Sequence, residues 1–211
     1  RDPEMSRGLG DVYKRQDWFR SSGLKLDERG YVTVDGYGRT NLDGVWALGD
    51  ITPGHALAHR AFEQGITIAE KIAGADPKPV IDDTVPQVVF SFPEAASVGL
   101  TLDQAKARED VVEPKETAYP MLSNARMLMS GEGGSMTVVS GAFANNPDMQ
   151  VVLGVHIVSP IASDLIAEAE QLVGNRVPLA DAARLIHPHP TFSETLGEAL
   201  LKADGRPLHT R

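Results

Sequence analysis

A proline-rich segment, Ala75-Asp76-Pro77-Lys78-Pro79, divides the chain into two parts with different patterns of apolar residues. Before it, two short β-branched or apolar runs precede a single long helical pattern. After it, several longer β-branched runs alternate with short helical patterns. Because proline lacks a backbone donor and fixes φ, helices and central strands rarely continue through such a segment. We therefore expect a linker here, with one domain on each side.

The part before the linker contains too few strands for a sheet of its own. The run Tyr31–Asp35 predicts a short strand, and the run Val45–Leu48 predicts a strand buried on both faces. From Leu57 to Ala73 the apolar residues follow helical spacing, and Gly74 provides a stop. Two strands are too few for a stable sheet. We therefore expect residues 17–75 to be the end of a larger α/β domain.

The part after the linker, residues 80–211, has the pattern of an α+β domain. Thr101 and Gln104 have the spacing of a capping box, and Asn145–Asp148 predicts a hairpin turn. The sequence predicts strands at 85–92, 135–143 and 150–158, and helices at 102–108, 162–173 and 179–185. Strands joined by hairpins, with helices between them, predict an antiparallel sheet with helices on one face.

Charge and composition exclude several classes of function. The chain has 20 Lys and Arg against 29 Asp and Glu, a formal net charge of −9, and no basic cluster. Binding to nucleic acid requires concentrated positive charge, so we expect no nucleic-acid partner. No apolar run reaches membrane-spanning length and no signal-peptide pattern opens the chain, so we expect no membrane association and a cytoplasmic protein. Because the chain has no cysteine, it performs no thiol chemistry itself, and we expect no metal site.

Residues 1–16 differ from the rest of the chain. They include four basic and three acidic residues and show neither helical nor strand periodicity. The stretch resembles translated adapter sequence at the end of a gene fragment, and a native disordered tail is the alternative. We expect it to lie outside the fold.

The segment most suggestive of chemistry is His187-Pro188-His189-Pro190-Thr191-Phe192-Ser193-Glu194, which leads into a helical pattern. Thr191 and Glu194 have the spacing of a capping box, so Glu194 has a purely structural interpretation. However, a carboxylate one turn inside a helix can also fold back to His189, orient one imidazole nitrogen and leave the other as acid or base. We expect His189 and Glu194 to form such a pair, and His187, with no carboxylate at that spacing, to be structural.

Two further segments contain short motifs whose order along the chain is informative. Arg39-Thr40-Asn41 is followed by Gly44–Asp50, and Val89–Glu94 is followed by Ser97–Thr101. Together with HPHPTFSE, they resemble motifs of the flavin-dependent pyridine nucleotide-disulfide oxidoreductases: the second flavin-binding motif, the start of the dimerisation domain and the C-terminal signature. Within this family, a signature with an additional histidine at the position of His187 most resembles that of the branch that oxidises dihydrolipoyl groups.

The resemblance implies roles for individual residues. Asp50 would hydrogen-bond the ribityl chain of FAD, and Leu57 and Ala58 would direct backbone N–H groups of their helix at the flavin. His189 would take a proton from a dihydrolipoyl thiol, and Glu194 would orient His189. Electrons would then pass through FAD to NAD.

The resemblance also implies partners. The family forms homodimers in which each chain contributes its histidine to the flavin site of the other, and the implied substrate is the lipoyl group of a 2-oxoacid dehydrogenase complex. The chain contains no GxGxxG and no cysteine, so the family's first FAD motif and its dithiol are not in it. Two alternatives stay open: another disulfide reductase of the same superfamily, such as a glutathione-reductase-like enzyme, and a non-catalytic dimerisation module.

Overall fold

The computed structural model describes residues 21–210, so the prediction for residues 1–16 lies outside the described residues. The chain divides into two compact units, with the boundary between Asp82 and Asp83. This boundary lies a few residues beyond the proline-rich segment. Within the described part of the chain, no helix is both long and apolar enough to cross a membrane.

Over its described residues, 21–82, the first unit contains one long helix, α1 (Ala58–Ile72), preceded by a 3₁₀ turn at Gly49–Ile51. The predicted helix agrees with α1 to within one residue at each end, because Leu57 is its N-cap and Ala73 its C-cap. Leu57 offers no side-chain oxygen or nitrogen to the first turn, so no side chain caps the start of the helix.

The two strands predicted for this unit are not formed. Leu26 pairs with Val32, and Arg39 with Trp46, only as isolated bridges. Val45 is 39% exposed, whereas a strand buried on both faces was expected. A strand needs neighbours that satisfy its N–H and C=O groups, and residues 21–82 supply only these single bridges between them.

The second unit is an antiparallel sheet with helices, which confirms the α+β prediction. Its five strands are β1 (Gln87–Val89), β2 (Glu94–Gly99), β3 (Val111–Pro120), β4 (Ser135–Phe143) and β5 (Asn146–Ser159). They lie in the order β1-β2-β5-β4-β3, and every neighbouring pair is antiparallel. The helices of this unit are α2 (Leu102–Ala107), α3 (Ala125–Ser130), α4 (Ala162–Gly174), α5 (Leu179–Ala182) and α6 (Glu194–Ala203). The capping box of α2 is complete, since both Thr101–Gln104 hydrogen bonds form.

Side chains of the central strands enter two different cores. Val138 and Val152 belong to the larger core, which includes the apolar faces of α4 and α6. Their neighbours Val139 and Val151 belong to a smaller core, together with Ala105 of α2. Because successive side chains of a strand point to opposite faces, the two cores lie on opposite sides of the sheet. The long helices therefore share one face, and the short α2 contributes to the other.

Strand β3 has no counterpart among the predicted strands. It lies at the edge of the sheet, where only β4 pairs with it. Its pairing register shifts between Val112 and Lys115, around Pro114. Proline is tolerated at edge strands and bulges but interrupts the alternation by which a strand is recognised in a sequence. The tertiary pairing with β4 therefore determines this strand.

The hairpin between β4 and β5 also differs from the prediction. Asn146 already pairs with Phe143, so the turn is the two-residue segment Ala144-Asn145 instead of 145–148. The polar residues after the turn belong to β5, which extends four residues further towards the turn than the apolar pattern indicated.

Candidate active site

The segment His187–Glu194 connects α5 to α6 and carries the predicted pair. The Nδ1 atom of His189 lies 2.8 Å from Oε1 of Glu194. Because an ionised carboxylate only accepts hydrogen bonds, Nδ1 is the nitrogen that carries the proton here. Because Nδ1 is bonded to Glu194, Nε2 of His189 is the ring nitrogen that can bind a ligand or exchange a proton with it. The imidazole is 67% exposed, whereas the carboxylate that holds it is 19% exposed.

Glu194 uses its second oxygen for the structural role that the sequence also allowed. Its Oε2 accepts a hydrogen bond of 2.8 Å from the backbone N–H of Thr191. Burial opposes ionisation of Glu194, but its hydrogen bonds from Thr191 and His189 outweigh burial, so the pKa of this carboxyl lies below its ordinary value. Glu194 therefore holds the start of α6 and the ring of His189 at the same time.

Thr191 is not the N-cap that the sequence predicted. Helix α6 begins at Glu194, and the position before it is Ser193, whose side chain makes no cap. The Thr191 hydroxyl instead donates to the carbonyl of Pro188 at 2.6 Å and bonds the Ser193 hydroxyl at 2.9 Å. The hydroxyl therefore bonds within its own loop instead of capping the helix. Of the two hydrogen bonds of the predicted capping box, only the one from the Thr191 N–H to Glu194 is formed. The His189-Pro190 peptide bond within this loop is cis.

Asn124 joins this loop to helix α3, a role that the sequence analysis missed. Its Nδ2 donates to the carbonyl of Thr191 at 3.1 Å, and its Oδ1 accepts from the N–H of Met127 at 3.1 Å. Asn124 is only 5% exposed and is the N-cap of α3. An asparagine before a helical pattern was the available signal for the cap, but the contact with Thr191, 67 residues away, depends on the tertiary fold.

A pocket of about 160 Å³ opens beside His189. Its walls come from the residues before and within α3, from the histidine loop, from α6 and from the C-terminal segment. The lining residues are Ser123, Asn124, Ala125, Leu128, His189, Glu194, Glu198 and His209. The pocket thus combines one large aliphatic side chain with two carboxylates and two imidazoles, and no lysine or arginine among residues 21–210 lines it.

A second imidazole, His209, lines the same pocket and was also missed. Its Nδ1 lies 2.8 Å from Oε1 of Glu198, and its backbone N–H donates to Oε2 of the same carboxylate at 3.3 Å. Glu198 is four residues after Glu194 on α6, so the two carboxylates lie one above the other on one face of the helix. The sequence offered this spacing, but not the return of the C-terminal segment to it.

His187 has a carboxylate partner in another helix, which the local sequence did not indicate. Its Nε2 lies 2.8 Å from Oε1 of Glu168 in α4. The hydrogen bond to Glu168 raises the pKa of His187, although burial opposes the change. The ring is 9% exposed and packs directly against Gly197, where a Cβ would lie 2.5 Å from Nδ1. His187 therefore packs the loop against α4 and α6, which agrees with a structural role.

Tyr119 of β3 is close enough to Glu198 and Glu194 for their charges to act on its hydroxyl. Its side chain is fully buried, and its hydroxyl has no hydrogen-bond partner among residues 21–210. Burial, with smaller contributions from the charges of Glu198 and Glu194, raises the pKa of Tyr119 to about 12. The hydroxyl is therefore neutral at physiological pH and adds no charge near the two carboxylates.

The predicted flavin contacts lie in the first unit. Asp50 is exposed in the 3₁₀ turn, and Gly49 before it has a φ of +69°, a conformation that favours glycine. The Gly49 N–H donates to Oε1 of Gln64 in α1 at 2.8 Å, which holds the turn against the helix. Asp50 is exposed, and α1 begins at Ala58 after the N-cap Leu57, whose side chain makes no cap; the flavin contacts of these residues stay a prediction. Across the described residues, no group of three His, Asp or Glu side chains is placed to hold a metal ion.

Comparisons with protein families match both units. Residues 85–200 match the dimerisation domain of the pyridine nucleotide-disulphide oxidoreductases, and residues 12–65 match the pyridine nucleotide-disulphide oxidoreductase model. A dihydrolipoyl dehydrogenase of Cupriavidus necator is 41% identical over 189 residues, which are 89% of this chain and 38% of that protein. The dihydrolipoyl dehydrogenase of Bacillus subtilis is 38% identical over 185 residues, or 87% of this chain and 38% of the relative. The chain thus spans about two fifths of the length of these relatives.

Solved structures agree with the fold. The crystal structure of LpdA from Mycobacterium tuberculosis matches 86% of this chain and 38% of its own, with a TM-score of 0.76 and 31% identity. The flavoprotein disulfide reductase RclA from Escherichia coli matches 86% of this chain and 41% of its own with a TM-score of 0.72, and at 23% identity it supports the fold alone.

Proposed function

The chain belongs to the pyridine nucleotide-disulphide oxidoreductase family, and from that premise we propose that it is the C-terminal part of a dihydrolipoyl dehydrogenase. Such an enzyme oxidises a dihydrolipoyl group with FAD and NAD. The similar proteins of Cupriavidus necator and Bacillus subtilis are dihydrolipoyl dehydrogenases, which supports this choice within the family. We further propose a cytoplasmic location.

The His189–Glu194 pair is the observation that carries the proposal. Glu194 fixes Nδ1 of His189, so Nε2 is the nitrogen that faces a substrate thiol. A dihydrolipoyl thiol transfers its proton to Nε2 and becomes a thiolate, while the carboxylate stabilises the imidazolium that forms. FAD and NAD, when bound, supply the electron and hydride transfer. Because the chain has no cysteine, the thiols of the reaction belong to the substrate and to residues outside this chain.

The charge of the pocket favours a neutral substrate over glutathione. Glu194 and Glu198 are carboxylates, and none of the eight lining residues is a lysine or arginine. Glutathione disulfide carries several carboxylates, which two fixed carboxylates repel. An amide-linked lipoyl group has no charge near its dithiol. A non-catalytic module, the other alternative, has no use for an exposed imidazole held by a shielded carboxylate.

We assign Asp50, Leu57 and Ala58 to the flavin. Two features support this assignment: Asp50 is an exposed carboxylate, and backbone N–H groups at the start of a helix such as α1 favour an electronegative partner. FAD retention tests this assignment independently of activity. The purified full-length Asp50→Ala variant should lose FAD more readily than the wild type does.

We propose that the protein acts as a homodimer with shared active sites. The family match to a dimerisation domain supports the dimer. Around the pocket, Leu122, Leu128 and Met129 are 53%, 62% and 68% exposed, and apolar side chains of this size beside a functional site are typical of an interface. In a two-fold dimer, each chain contributes its His189 to the flavin of the other. The substrate is then the lipoyl group of a 2-oxoacid dehydrogenase complex.

Steady-state kinetics of the full-length protein test the function. We expect oxidation of dihydrolipoamide with NAD⁺ and no reduction of glutathione disulfide. The reverse preference would establish the glutathione-type alternative, and no turnover of either would establish the non-catalytic one. His189→Gln should slow the thiol half-reaction by roughly 10²- to 10⁴-fold, and flavin reduction by NADH much less. Equal losses in both half-reactions would contradict an acid–base role.

Subunit mixing tests the shared site. Chains with His189→Gln are co-expressed with chains whose redox dithiol has been removed, and the mixed dimer is purified. If each histidine serves the partner, one site of the mixed dimer is intact and about half of the wild-type activity per dimer returns. A mixed dimer as inactive as its parents would show that His189 acts within its own chain.

A further inference from the structure

The pocket contains two imidazole–carboxylate pairs of the same design. His189 and His209 each present Nδ1 to a carboxylate of α6 at 2.8 Å. Both carboxylates are shielded, with side-chain exposures of 19% for Glu194 and 10% for Glu198, whereas the imidazoles are 67% and 61% exposed. The function proposed above uses only the first pair. The second has the same construction and lines the same pocket.

The orientation of His209 is fixed by two bonds from one residue. Glu198 accepts both the ring N–H and the backbone N–H of His209, so it holds the C-terminal segment and the ring together. With Nδ1 committed to Glu198, Nε2 is the atom left for a ligand. The neutral ring accepts a hydrogen bond at Nε2, and the protonated ring donates one there. A secondary or primary amide offers a partner in either case, whereas a carboxylate only accepts.

The spacing of the two pairs suits a dithiol that ends in an amide. Four residues of α-helix rise about 6 Å, so the two glutamates that hold the imidazoles lie about one helical turn apart. This distance is comparable to the extended aliphatic chain between the dithiol and the carboxamide of a lipoyl group. Leu128 supplies an apolar wall in the same pocket. The two carboxylates oppose a negative charge at the far end of the substrate.

We propose that His209 binds the amide group of the dithiol substrate while His189 exchanges the thiol proton. The inference rests on the proposed function and adds a specificity-determining residue to it. The enzyme then prefers amide-linked dithiols, as on a lipoyl-lysine, over the free acid of the same chain length. Glu198 is a positioning residue that acts through His209.

Two variants test the contacts of the two ring nitrogens of His209 one at a time. The side-chain amide of asparagine reaches the position of Nδ1, and that of glutamine reaches the position of Nε2. His209→Asn therefore keeps the bond to Glu198 and loses the substrate contact, while His209→Gln keeps a donor and an acceptor towards the substrate. Arg206→Gln is the matched control, because it changes the same segment at a residue that pairs with Asp204 and does not line the pocket.

The measurement is kcat/KM of the full-length enzyme for dihydrolipoamide and for dihydrolipoate, which differ only in the terminal group. We expect His209→Asn to lower the amide-over-acid ratio roughly 3- to 10-fold through KM, the effect of losing one hydrogen bond. His209→Gln and Arg206→Gln should retain the wild-type ratio. Equal ratios in all variants would overturn the proposal, as would a fall of kcat on both substrates, which indicates proton transfer. A wild-type enzyme inactive on dihydrolipoamide would refute the proposed function itself, before any variant is compared.

Discussion

Replacement of Glu194 separates its two roles, because each of its oxygens makes a different bond. Oε1 holds Nδ1 of His189, and Oε2 accepts from the backbone N–H of Thr191, both at 2.8 Å. Alanine removes both acceptors. Glutamine keeps one carbonyl oxygen for Thr191 but places an NH₂ group opposite Nδ1 of His189. The two variants should therefore differ in stability and agree in loss of function.

The expected stability change follows from the exposure of each partner. The Thr191 bond satisfies a backbone donor of the loop before α6, and loss of one such hydrogen bond costs about 1 kcal/mol. The bond to His189 adds little to stability, because this imidazole is 67% exposed and solvent screens the pair. Glu194→Ala should thus lower the free energy of unfolding by about 1 kcal/mol, and Glu194→Gln by clearly less. Urea unfolding at constant pH measures both values.

The expected functional change follows from the tautomer. Opposite an NH₂ group, Nδ1 of His189 becomes an acceptor and the proton moves to Nε2, where it blocks uptake of a thiol proton. Hydrogen-bond partners that orient metal-bound histidines typically contribute roughly 10- to 100-fold to activity. By analogy, we expect Glu194→Gln to slow the thiol half-reaction roughly 10- to 100-fold, less than His189→Gln. A glutamine variant with wild-type thiol kinetics, or one as unstable as the alanine variant, would refute the assignment of one role to each oxygen of Glu194.

Three further predictions concern the surroundings of the pocket. Tyr119→Phe should leave the free energy of unfolding unchanged or slightly higher in urea unfolding, because the buried hydroxyl has no partner among residues 21–210; a loss above about 1 kcal/mol would reveal one. Glu168 raises the pKa of His187 from its ordinary 6.5, so their bond stabilises the fold fully below that value and less as pH rises through the raised pKa. Glu168→Gln should therefore reduce stability more at about pH 6 than at about pH 8, and equal losses would contradict this assignment. Gly197→Ala should destabilise by roughly 1–3 kcal/mol despite the better helix propensity of alanine, because its Cβ would lie 2.5 Å from the His187 ring; an increased melting temperature would contradict this.

Local sequence determined the elements whose signals lie within a few residues. Helix α1 was predicted to within one residue at each end, and the capping box of α2 formed as its spacing indicated. The His189–Glu194 pair belongs to the same class, since its members are five positions apart and the short loop before α6 brings them together. Propensity and short-range hydrogen bonds are properties of the segment itself, so they can be read without knowledge of the fold.

Tertiary structure decided whatever depends on a partner distant in sequence. Strand β3 exists because β4 pairs with it, whereas the run Val45–Leu48 has strand composition and forms only a single bridge. The carboxylate that bonds His187 belongs to Glu168 in another helix, α4. His209 reaches Glu198 only because the C-terminal segment folds back along α6. A strand or a buried polar group needs a partner for its hydrogen bonds, and the chain supplies that partner only when it folds. The sequence therefore specified one imidazole of the pocket, and the fold supplied the second.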